Sequence, residues 1–450
     1  MAPEFRRKIY DRMLEWKINE HSTRALMIEG PRRVGKSTVV EQFARKEYES
    51  HILINFSEAG NDIKDLFSDL RNLDRLFRGL QLSYGTTLIE GKSVIVFDEV
   101  QRFPRAREAI KFLIADGRYD YIETGSQISI RKNVKGITIP SEERAVYMHP
   151  MDFEEFLWAC GRGSAYDILK GYFDDLSEIP GGIHHDMMRT YREYMAVGGM
   201  PQAVEAFIDG KDYRYIDSVK RDIIKLYLDD FMKYDPSGKT RNLFMGIPSE
   251  LSRESHRYQI SRVDPSLRYD KDRERIVEMC DSRTTVMSMR TTDPGPMMNS
   301  STDTDRFKLY LEDTGLFITL CFYTQDFSDN GIYRDLVTGR ISANLGYVYE
   351  NAVSQALTAS GNRLFYSSWR KENSTHCYEV DFLVADGEKV ILIEVKSSKN
   401  TSHRSMDAFA EKHDGLISKR YVISQKNLRT ENGVIYIPVY MTGFVRNVSG

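Results

Sequence analysis

The segment from Gly30 to Ser37 constrains this chain more than any other part of its sequence. It reads GPRRVGKS and matches the pattern GxxxxGK[ST] at every position. The apolar run ALMIEG leads into it, and the helical pattern STVVEQFARKEY follows. Glycines in such a loop let backbone N–H groups turn inward, and the next helix directs its positive end to the same place. We therefore expect a buried strand, a phosphate-binding loop and a helix in that order.

This loop predicts a site for ATP and Mg²⁺. Lys36 should reach the β- and γ-phosphates, and the Ser37 hydroxyl should bind the metal ion. The residues expected to contact the nucleotide are Gly30, Pro31, Arg32, Arg33, Val34, Gly35, Lys36, Ser37 and Thr38. The alternative is a glycine-rich turn with an incidental lysine, which the flanking strand and helix patterns argue against.

Two further strand-like runs end in polar residues that suit hydrolysis. SVIVFDEV places Asp98 and Glu99 at the carboxyl end of a buried strand. Asp98 should hold Mg²⁺ through water, and Glu99 should polarise the attacking water. YDYIETGS offers Ser126 as a polar group between this water and the γ-phosphate. The alternatives are a solvated strand end for the acid pair and a strand-capping turn for Ser126.

The order of elements predicts an α/β fold. Short β-branched runs alternate with helical patterns in the first third of the chain, which is typical of a doubly wound parallel sheet with right-handed crossovers. From about residue 151 the pattern is mostly helical. The segment 281–305 is dense in Ser, Thr, Asp and Pro, and we expect an exposed loop or wing there. A chain of 450 residues should form two or three domains.

Composition excludes few classes of protein. No stretch approaches the roughly 18–20 apolar residues of a membrane span, and the N-terminus lacks a signal-peptide core. We therefore expect a cytoplasmic protein with no membrane partner. A formal net charge of −3 neither indicates nor excludes a nucleic-acid partner. The four cysteines are far apart, which predicts reduced thiols.

The C-terminal part carries a second group of charged residues. After a helix from 346, four strand-like runs follow, and Asp386-Gly387 predicts a tight hairpin between two of them. With a two-residue turn centred there, Asp381 would pair with Leu392 and lie diagonal to Glu394, which shares its face with Lys396. The two carboxylates could then hold Mg²⁺ while the lysine activates water against phosphate. A turn one residue longer would separate the carboxylates onto opposite faces.

The motifs GPRRVGKST, FDEVQ, ETGS and YMHPMDFEEFLW together resemble the prokaryotic AAA-like P-loop ATPases that carry a C-terminal restriction-endonuclease-like, or PD-(D/E)xK, domain. YREYMAVGGMPQAV and KLYLEDTGLF extend this resemblance over nearly the whole chain. It implies an AAA-type ATPase core over residues 1–160, a helical lid and winged-helix-like region over 161–335, and an endonuclease-like α/β domain over 336–450.

The same resemblance bears on single residues. It would add Glu350, on the preceding helix, to the carboxylates of the C-terminal cluster. It would also place an arginine finger at Arg144, although IPSEER lacks the usual glycine-arginine pair and Arg131 competes. A solvated charge remains the alternative for both arginines.

Two hypotheses for the whole protein follow. The first is an ATPase whose nucleotide state controls a nuclease-like, DNA-engaging C-terminal domain, with a ring or dimer expected by analogy. The second is a nucleotide-controlled signalling or defence protein that uses a degenerate nuclease fold only as a binding surface. A metabolic kinase shares the loop at Gly30–Ser37, but Glu99 suits water activation better than transfer to a small acceptor.

Overall fold

The computed structural model describes residues 4–125, 141–253, 257–295, 297–325, 327, 331–340, 346–371, 377–397 and 402–446. The chain divides into two compact units. The first contains Met1–His149 and Asp281–Arg283, and the second contains Pro150–Cys280 and Thr284–Gly450. Among the helices of the described ranges, none is long and apolar enough to cross a bilayer.

The first unit alternates strands and helices. Its strands are β1 (Ala25–Glu29), β2 (Ser50–Asn55), β3 (Ser93–Asp98), β4 (Asp120–Gly125) and β5 (Glu143–Tyr147). Its helices are α1 (Ile9–Asn19), α2 (Lys36–Glu47), α3 (Asn61–Leu66), α4 (Leu73–Tyr84) and α5 (Pro104–Asp116), with a short 3-10 helix at Val100–Arg102.

All five strands form one parallel sheet in the order β2-β3-β4-β1-β5. The expectation of an α/β fold with a parallel sheet is confirmed for this unit. Strand β4 lies between β1 and β3, so the loop after β1 and the acid pair after β3 flank the end of β4. Carboxyl ends of parallel strands meet at one edge of a sheet, and that edge holds the site described below.

Apolar side chains cover both faces of this sheet. On β3, Ile95 and Phe97 belong to one core, while Val94 and Val96 belong to the core on the opposite face. Near-continuous β-branched runs are the pattern expected of strands buried on both sides. Helix α1 joins the second of these cores through residues that include Trp16.

The second unit begins with helices and ends in a mixed sheet. Its helices are α6 (Phe153–Ala159), α7 (Ala165–Asp174), α8 (Gly181–Val197), α9 (Pro201–Ile208), α10 (Tyr213–Tyr234), α11 (Lys239–Met245), α12 (Ile247–Leu251), α13 (Ile260–Val263), α14 (Tyr269–Asp281), α15 (Thr314–Cys321), α16 (Ile332–Val337), α17 (Gly346–Ala359) and α18 (Arg404–Lys412). Its strands are β6 (Thr285–Thr291), β7 (Thr302–Leu311), β8 (Phe365–Arg370), β9 (Cys377–Asp386), β10 (Lys389–Val395), β11 (Ile417–Ser424), β12 (Arg429–Glu431) and β13 (Val434–Pro438), and 3-10 helices cover Met298–Ser301 and Val439–Phe444.

These eight strands form one sheet in the order β12-β13-β11-β10-β9-β8-β6-β7. Strands β8, β9 and β10 form an antiparallel meander, and β11 runs parallel to β10 after α18. Helix α17 therefore precedes three antiparallel strands, a crossover helix and a parallel strand. The four strand-like runs expected after residue 346 are all present.

The expectation of an exposed loop or wing over 281–305 is wrong where β6 and the start of β7 lie. Residues Thr285–Thr291 form β6, which pairs antiparallel with β7 and parallel with β8. Thr285, Ser288 and Thr291 are buried, each three residues from the next. The polar composition indicated a loop, but threonine is also a good strand residue and packs well on a pleated surface. This sheet crosses the boundary expected between residues 335 and 336.

Candidate functional site

The loop after β1 has the backbone that its glycines predict. Gly35 lies in the left-handed region at φ 95°, directly before α2, and Arg33 has φ 67°. A Cβ atom at Gly30 would lie 2.5 Å from the carbonyl oxygen of Met148, so only glycine fits there without displacing that backbone. Helix α2 begins without a side-chain cap hydrogen bond, and uncapped N–H groups at the start of a helix can bind an anion.

Lys36 is folded back onto this loop. Its Nζ atom donates to the carbonyl oxygens of Gly30 at 3.0 Å and Pro31 at 2.9 Å, and the side chain is only 6% exposed. Burial lowers the pKa of Lys36 to about 8, although Glu99 and Asp98 oppose that shift. The ammonium group is therefore poorly solvated and held by two neutral acceptors, which an anion could replace.

Two hydroxyl side chains meet at Asp98. The hydroxyl groups of Ser37 and Thr124 both donate to its Oδ1 atom, at 2.8 Å and 2.5 Å, and Asp98 is 4% exposed. Ser37 starts α2, Asp98 ends β3, and Thr124 lies on β4 between them. The arrangement places hydroxyl and carboxylate oxygens at the end of the sheet where the loop begins.

Glu99 follows with a backbone conformation rare for this residue type. Its φ is 55°, in the left-handed region, and its N–H group donates to Thr124 Oγ1 at 3.2 Å. The amide of Gln101 donates to Glu99 Oε2 at 2.6 Å. Non-glycine residues in this region are uncommon and concentrate at functional sites.

Thr124 is the residue that sequence reasoning missed. Ser126, expected as a polar group between the attacking water and the γ-phosphate, lies outside the described residues. The register supplied the signal: Phe97 pairs with Glu123, so the next residue of β4 comes opposite Asp98. Strand β4 extends to Gly125, and this brings its threonine, two residues before Ser126, against the acid pair.

The remaining nucleotide-contact candidates differ in exposure. Val34 is buried, Arg32 is half-buried, and Arg33, Ser37 and Thr38 are exposed. A further contact with the loop, made by Arg7, was not predicted. Arg7 is 5% exposed and donates to the carbonyl oxygens of Val34 at 2.9 Å and His149 at 2.6 Å.

Arg144 lies away from the loop. It pairs with Leu26 in the sheet, three residues before the end of β1, and its guanidinium is 3.8 Å from a carboxylate oxygen of Glu20. Within one copy of the chain this arginine is therefore at the wrong end of the strand to reach phosphate. Arg131 lies outside the described residues.

The C-terminal residues come together around β9 and β10. Asp386 pairs with Lys389, so the turn is Gly387-Glu388, with Gly387 at φ 61°. The expected pairing of Asp381 with Leu392 is wrong, because Leu392 pairs with Leu383. The glycine occupies the first turn position rather than the second. This displaces the register by two residues and so keeps the same side-chain faces together.

Asp381, Glu394 and Lys396 form a charged cluster, which we call the acid-lysine cluster. The Val395 N–H group donates to Asp381 Oδ2 at 2.7 Å, and Lys396 Nζ donates to Glu394 Oε2 at 2.8 Å. Glu394 is 3% exposed, and its Oε1 atom is buried without a hydrogen-bond partner. Such an orphaned acceptor is costly unless it serves a ligand or a proton.

Burial sets the pKa values in this cluster. It raises the pKa of Asp381 well above its usual value, and the neighbouring Glu394 and Glu350 raise it further. Burial also raises the pKa of Glu394. Burial alone would lower the pKa of Lys396, but Asp381 and Glu394 raise it above its usual value. The two carboxylates repel each other, and the lysine compensates part of that repulsion.

Glu350 is committed to other partners. It accepts hydrogen bonds from Lys308 Nζ at 2.9 Å and the Tyr310 hydroxyl at 2.6 Å, and Lys308 also pairs with Glu379 at 2.7 Å. Among the described residues, no group of three or more His, Cys, Asp and Glu side chains is arranged to hold a metal ion. The cluster thus offers two carboxylates rather than three.

Comparisons with known proteins match three separate stretches of the chain. Residues 22–157 match the model of an AAA domain. Residues 188–328 and 345–441 match two domains of unknown function, DUF8612 and DUF4143. No protein of curated function matches the chain significantly.

Solved structures show more distant similarity. The Walker-type ATPase PABY2304 of Pyrococcus abyssi is 15% identical with a TM-score of 0.44, over 70% of this chain and 96% of that one. Caenorhabditis elegans PCH-2 is 13% identical over 40% of this chain and 47% of that one, with a TM-score of 0.19. The protein VC1899 from Vibrio cholerae is 10% identical over 88% of this chain and 95% of that one, and its TM-score is also 0.19. Similarities with TM-scores this low do not indicate the function of this chain. The family match alone identifies residues 22–157 as an AAA-type P-loop domain.

Proposed function

We propose that this chain binds ATP at Gly30–Thr38, hydrolyses it to ADP and phosphate, and couples that cycle to a nuclease-like, DNA-engaging second unit. The AAA-domain match supports the nucleotide part. The observation that carries it is the convergence of Ser37 and Thr124 on Asp98, with Glu99 as the next residue.

ATP binding would use groups that are already positioned. The N–H groups of the loop and of the first turn of α2 surround the place where phosphates sit. Lys36 would exchange its two carbonyl acceptors for the β- and γ-phosphates, and the added negative charge would favour its protonated form. Gly30 keeps this space open next to the Met148 carbonyl.

The residues present suit Mg²⁺. Ser37 and Asp98 offer a hydroxyl and a carboxylate oxygen 2.8 Å apart, and Mg²⁺ prefers oxygen ligands. When bound with ATP, the ion neutralises charge on the phosphates. The chain supplies the rest: Asp98 is fixed by two hydroxyl donors, so its carboxylate is held in one orientation before any ligand arrives.

Glu99 is the candidate general base. It would accept a proton from water as the water oxygen bonds to the γ-phosphorus and the bond to the ADP oxygen breaks. In the structure Gln101 holds its carboxylate at 2.6 Å, so water must share or replace that contact. Thr124 positions both acids, since it donates to Asp98 and accepts from the Glu99 N–H group.

Two variants test this assignment. Lys36→Ala should lose binding of a fluorescent ATP analogue, because it removes the ammonium group that now donates to the carbonyl oxygens of Gly30 and Pro31 in the loop. Glu99→Gln should bind the analogue like the natural protein but hydrolyse ATP at least about 10²-fold more slowly. A Glu99→Gln protein that hydrolyses ATP at the full rate would overturn the choice of base.

The nuclease-like part of the proposal is supported by the second unit. Its α17-β8-β9-β10-α18-β11 order brings Asp381, Glu394 and Lys396 together on two adjacent strands, and Glu394 keeps an unpartnered acceptor there. The alternative proposal is a nucleotide-controlled interaction protein in which this fold only binds. The engagement of Glu350 by Lys308 and Tyr310 favours that alternative, because it withdraws a third carboxylate.

A further inference from the structure

A cleft in the second unit is lined by an unusual number of arginines. Its volume is about 920 Å³, at the upper end of the range for small-molecule pockets. It is lined by Arg253, Arg257, Gln259, Arg262, Arg290, Arg306, Ser368, Trp369, Arg370 and Cys377. Six of these ten residues are arginines and none is acidic. We call this surface the arginine cleft.

Among the residues that the structure describes, four of the cleft arginines share two carboxylates. Glu250 lies 3.8 Å from Arg253 and 3.6 Å from Arg262. Asp303 pairs with Arg290 at 3.1 Å and with Arg306 at 3.4 Å. Two carboxylates therefore face four guanidinium groups, so these four arginines carry more positive charge than their two described partners neutralise. A concave surface of one sign concentrates anions.

The cleft is built on rigid elements. Arg290 lies on β6 and donates to the carbonyl oxygen of Ser368 on β8, at 3.1 Å and 2.8 Å. Trp369 forms part of the wall, and its ring packs against Tyr378 at 5.3 Å and Phe409 at 5.5 Å. These contacts fix the positions of Arg290 and Trp369 before a ligand binds.

From these features we infer that the arginine cleft binds the backbone of a nucleic-acid strand. Arginine presents a planar fork that matches phosphate oxygens, and several forks in one open cleft suit consecutive phosphates better than a single small anion. Trp369 offers an aromatic surface to a base, while Gln259 and Ser368 offer polar groups. An acidic protein would need the charge but not the aromatic wall.

The position of the cleft connects it to the acid-lysine cluster. Cys377 lines the cleft at the start of β9, and Asp381 lies four residues further along the same strand. Four strand residues span roughly 13 Å, so a bound strand can extend from one feature to the other. This inference deepens the proposed function and rests on its DNA-engaging part, to which it assigns a surface.

The test removes charge from the cleft without touching its rigid parts. Arg253 and Arg306 are 52% and 48% exposed, and we replace both with alanine. The matched control is Arg189→Ala with Arg429→Ala, two arginines of the same unit that are 59% and 44% exposed and form ion pairs with exposed carboxylates outside the cleft. The probes are a fluorescent single-stranded oligonucleotide, its duplex and polyglutamate, each titrated at several salt concentrations.

The cleft variant should bind the oligonucleotide on the order of tenfold more weakly at low salt, and its salt slope should fall by about one unit for each arginine removed. The control should bind like the natural protein, and both variants should keep basal ATP turnover. Equal binding by cleft variant and control would overturn the cleft assignment while the proposed function stands. Polyglutamate binding with the same dependence on the cleft arginines would reject nucleic acid as the partner. No binding of the natural protein to either nucleic acid would reject both.

Discussion

At the scale of single residues, Thr124 holds the two acids of the nucleotide site together. Its hydroxyl donates to Asp98 and accepts from the backbone of Glu99, and its side chain is fully buried. If this buried hydroxyl were removed, both the Asp98 carboxylate and the Glu99 N–H group would lose a hydrogen-bond partner. We therefore propose that Thr124 is a positioning residue, which acts through Asp98 and Glu99 rather than on substrate.

We predict that Thr124→Val lowers the ATP turnover number by roughly 10- to 10²-fold. Valine has the same shape but loses a hydrogen bond to a charged group, which contributes about 1.5–3 kcal/mol, and each 1.4 kcal/mol of barrier is tenfold in rate. Steady-state kinetics would show the loss in kcat, with binding of an ATP analogue nearly unchanged. Thr190→Val, which removes a similarly buried hydroxyl in the second unit, serves as the control. Equal turnover in both variants would contradict the positioning role.

The residues at the nucleotide loop were the most predictable part of the chain. The GxxxxGK[ST] pattern fixes a local backbone, so Gly30, Gly35 and Lys36 follow from sequence alone. Arg7 and Thr124 were not predictable in this way, because each reaches the site from a distant part of the chain. Their roles depend on strand order and on the packing of α1, which no local pattern encodes.

At the scale of elements, the hairpin β9-β10 brings two carboxylates into one poorly solvated place. Its apolar residues pack into the core of the second unit, as Val380 and Leu392 do, while Asp381 and Glu394 point into a charged cluster. The raised pKa of each acid means that the folded state holds protons more tightly than the unfolded chain. The contribution of these two acids to the free energy of unfolding is therefore lost as pH rises from the ordinary carboxyl pKa to the raised pKa values of the folded state.

We predict that Asp381→Asn raises the melting temperature at pH 7.5 and abolishes any Mg²⁺-dependent nicking of DNA. Asparagine keeps an oxygen for the Val395 N–H group and removes the repulsion with Glu394. The gain in melting temperature should shrink towards pH 4.5, where protonation already relieves that repulsion. Thermal unfolding at the two pH values and a plasmid-nicking assay measure the two effects.

The control for this variant is Glu388→Gln, which neutralises an exposed acid in the turn of the same hairpin. Its melting temperature should differ little from that of the natural protein at either pH. If Asp381→Asn destabilised the protein equally at both pH values, the repulsion described here would be absent. Nicking that persists in Asp381→Asn would remove the acid-lysine cluster as a nuclease site.

The elements of the second unit show where sequence reasoning stops. The hairpin was expected, but its turn lies one residue later than Asp386-Gly387, because a glycine with positive φ also suits the first turn position. Strand β6 was expected to be a loop, because Ser and Thr are typical of loops as well as of half-buried strands. Its pairing with β8, more than 70 residues away in sequence, could not be read from either segment alone.

At the scale of the whole molecule, the proposal requires that DNA and ATP influence each other. We predict that single-stranded DNA raises the ATP turnover of the natural protein, and that added salt removes this stimulation because it weakens phosphate contacts. A coupled ATPase assay with a panel of nucleic acids, run beside a mass measurement with and without an ATP analogue, tests the coupling and the expected oligomer together.

The control for this coupling is the cleft variant with Arg253 and Arg306 replaced. It should keep the basal rate and lose the stimulation, since the change lies outside the nucleotide site. An ATP turnover that no nucleic acid alters would favour the alternative of a nucleotide-controlled interaction protein.

The contacts of Arg7 have a practical consequence for work on isolated fragments. The AAA-domain match begins at residue 22. Arg7, which donates a hydrogen bond to the carbonyl oxygen of Val34, lies fifteen residues before the start of that match. An excised piece cut at the edge of the match would lose this brace and the apolar side of α1 as well. A fragment intended to keep the loop at Gly30–Ser37 intact should therefore begin before Arg7 rather than at the start of the family match.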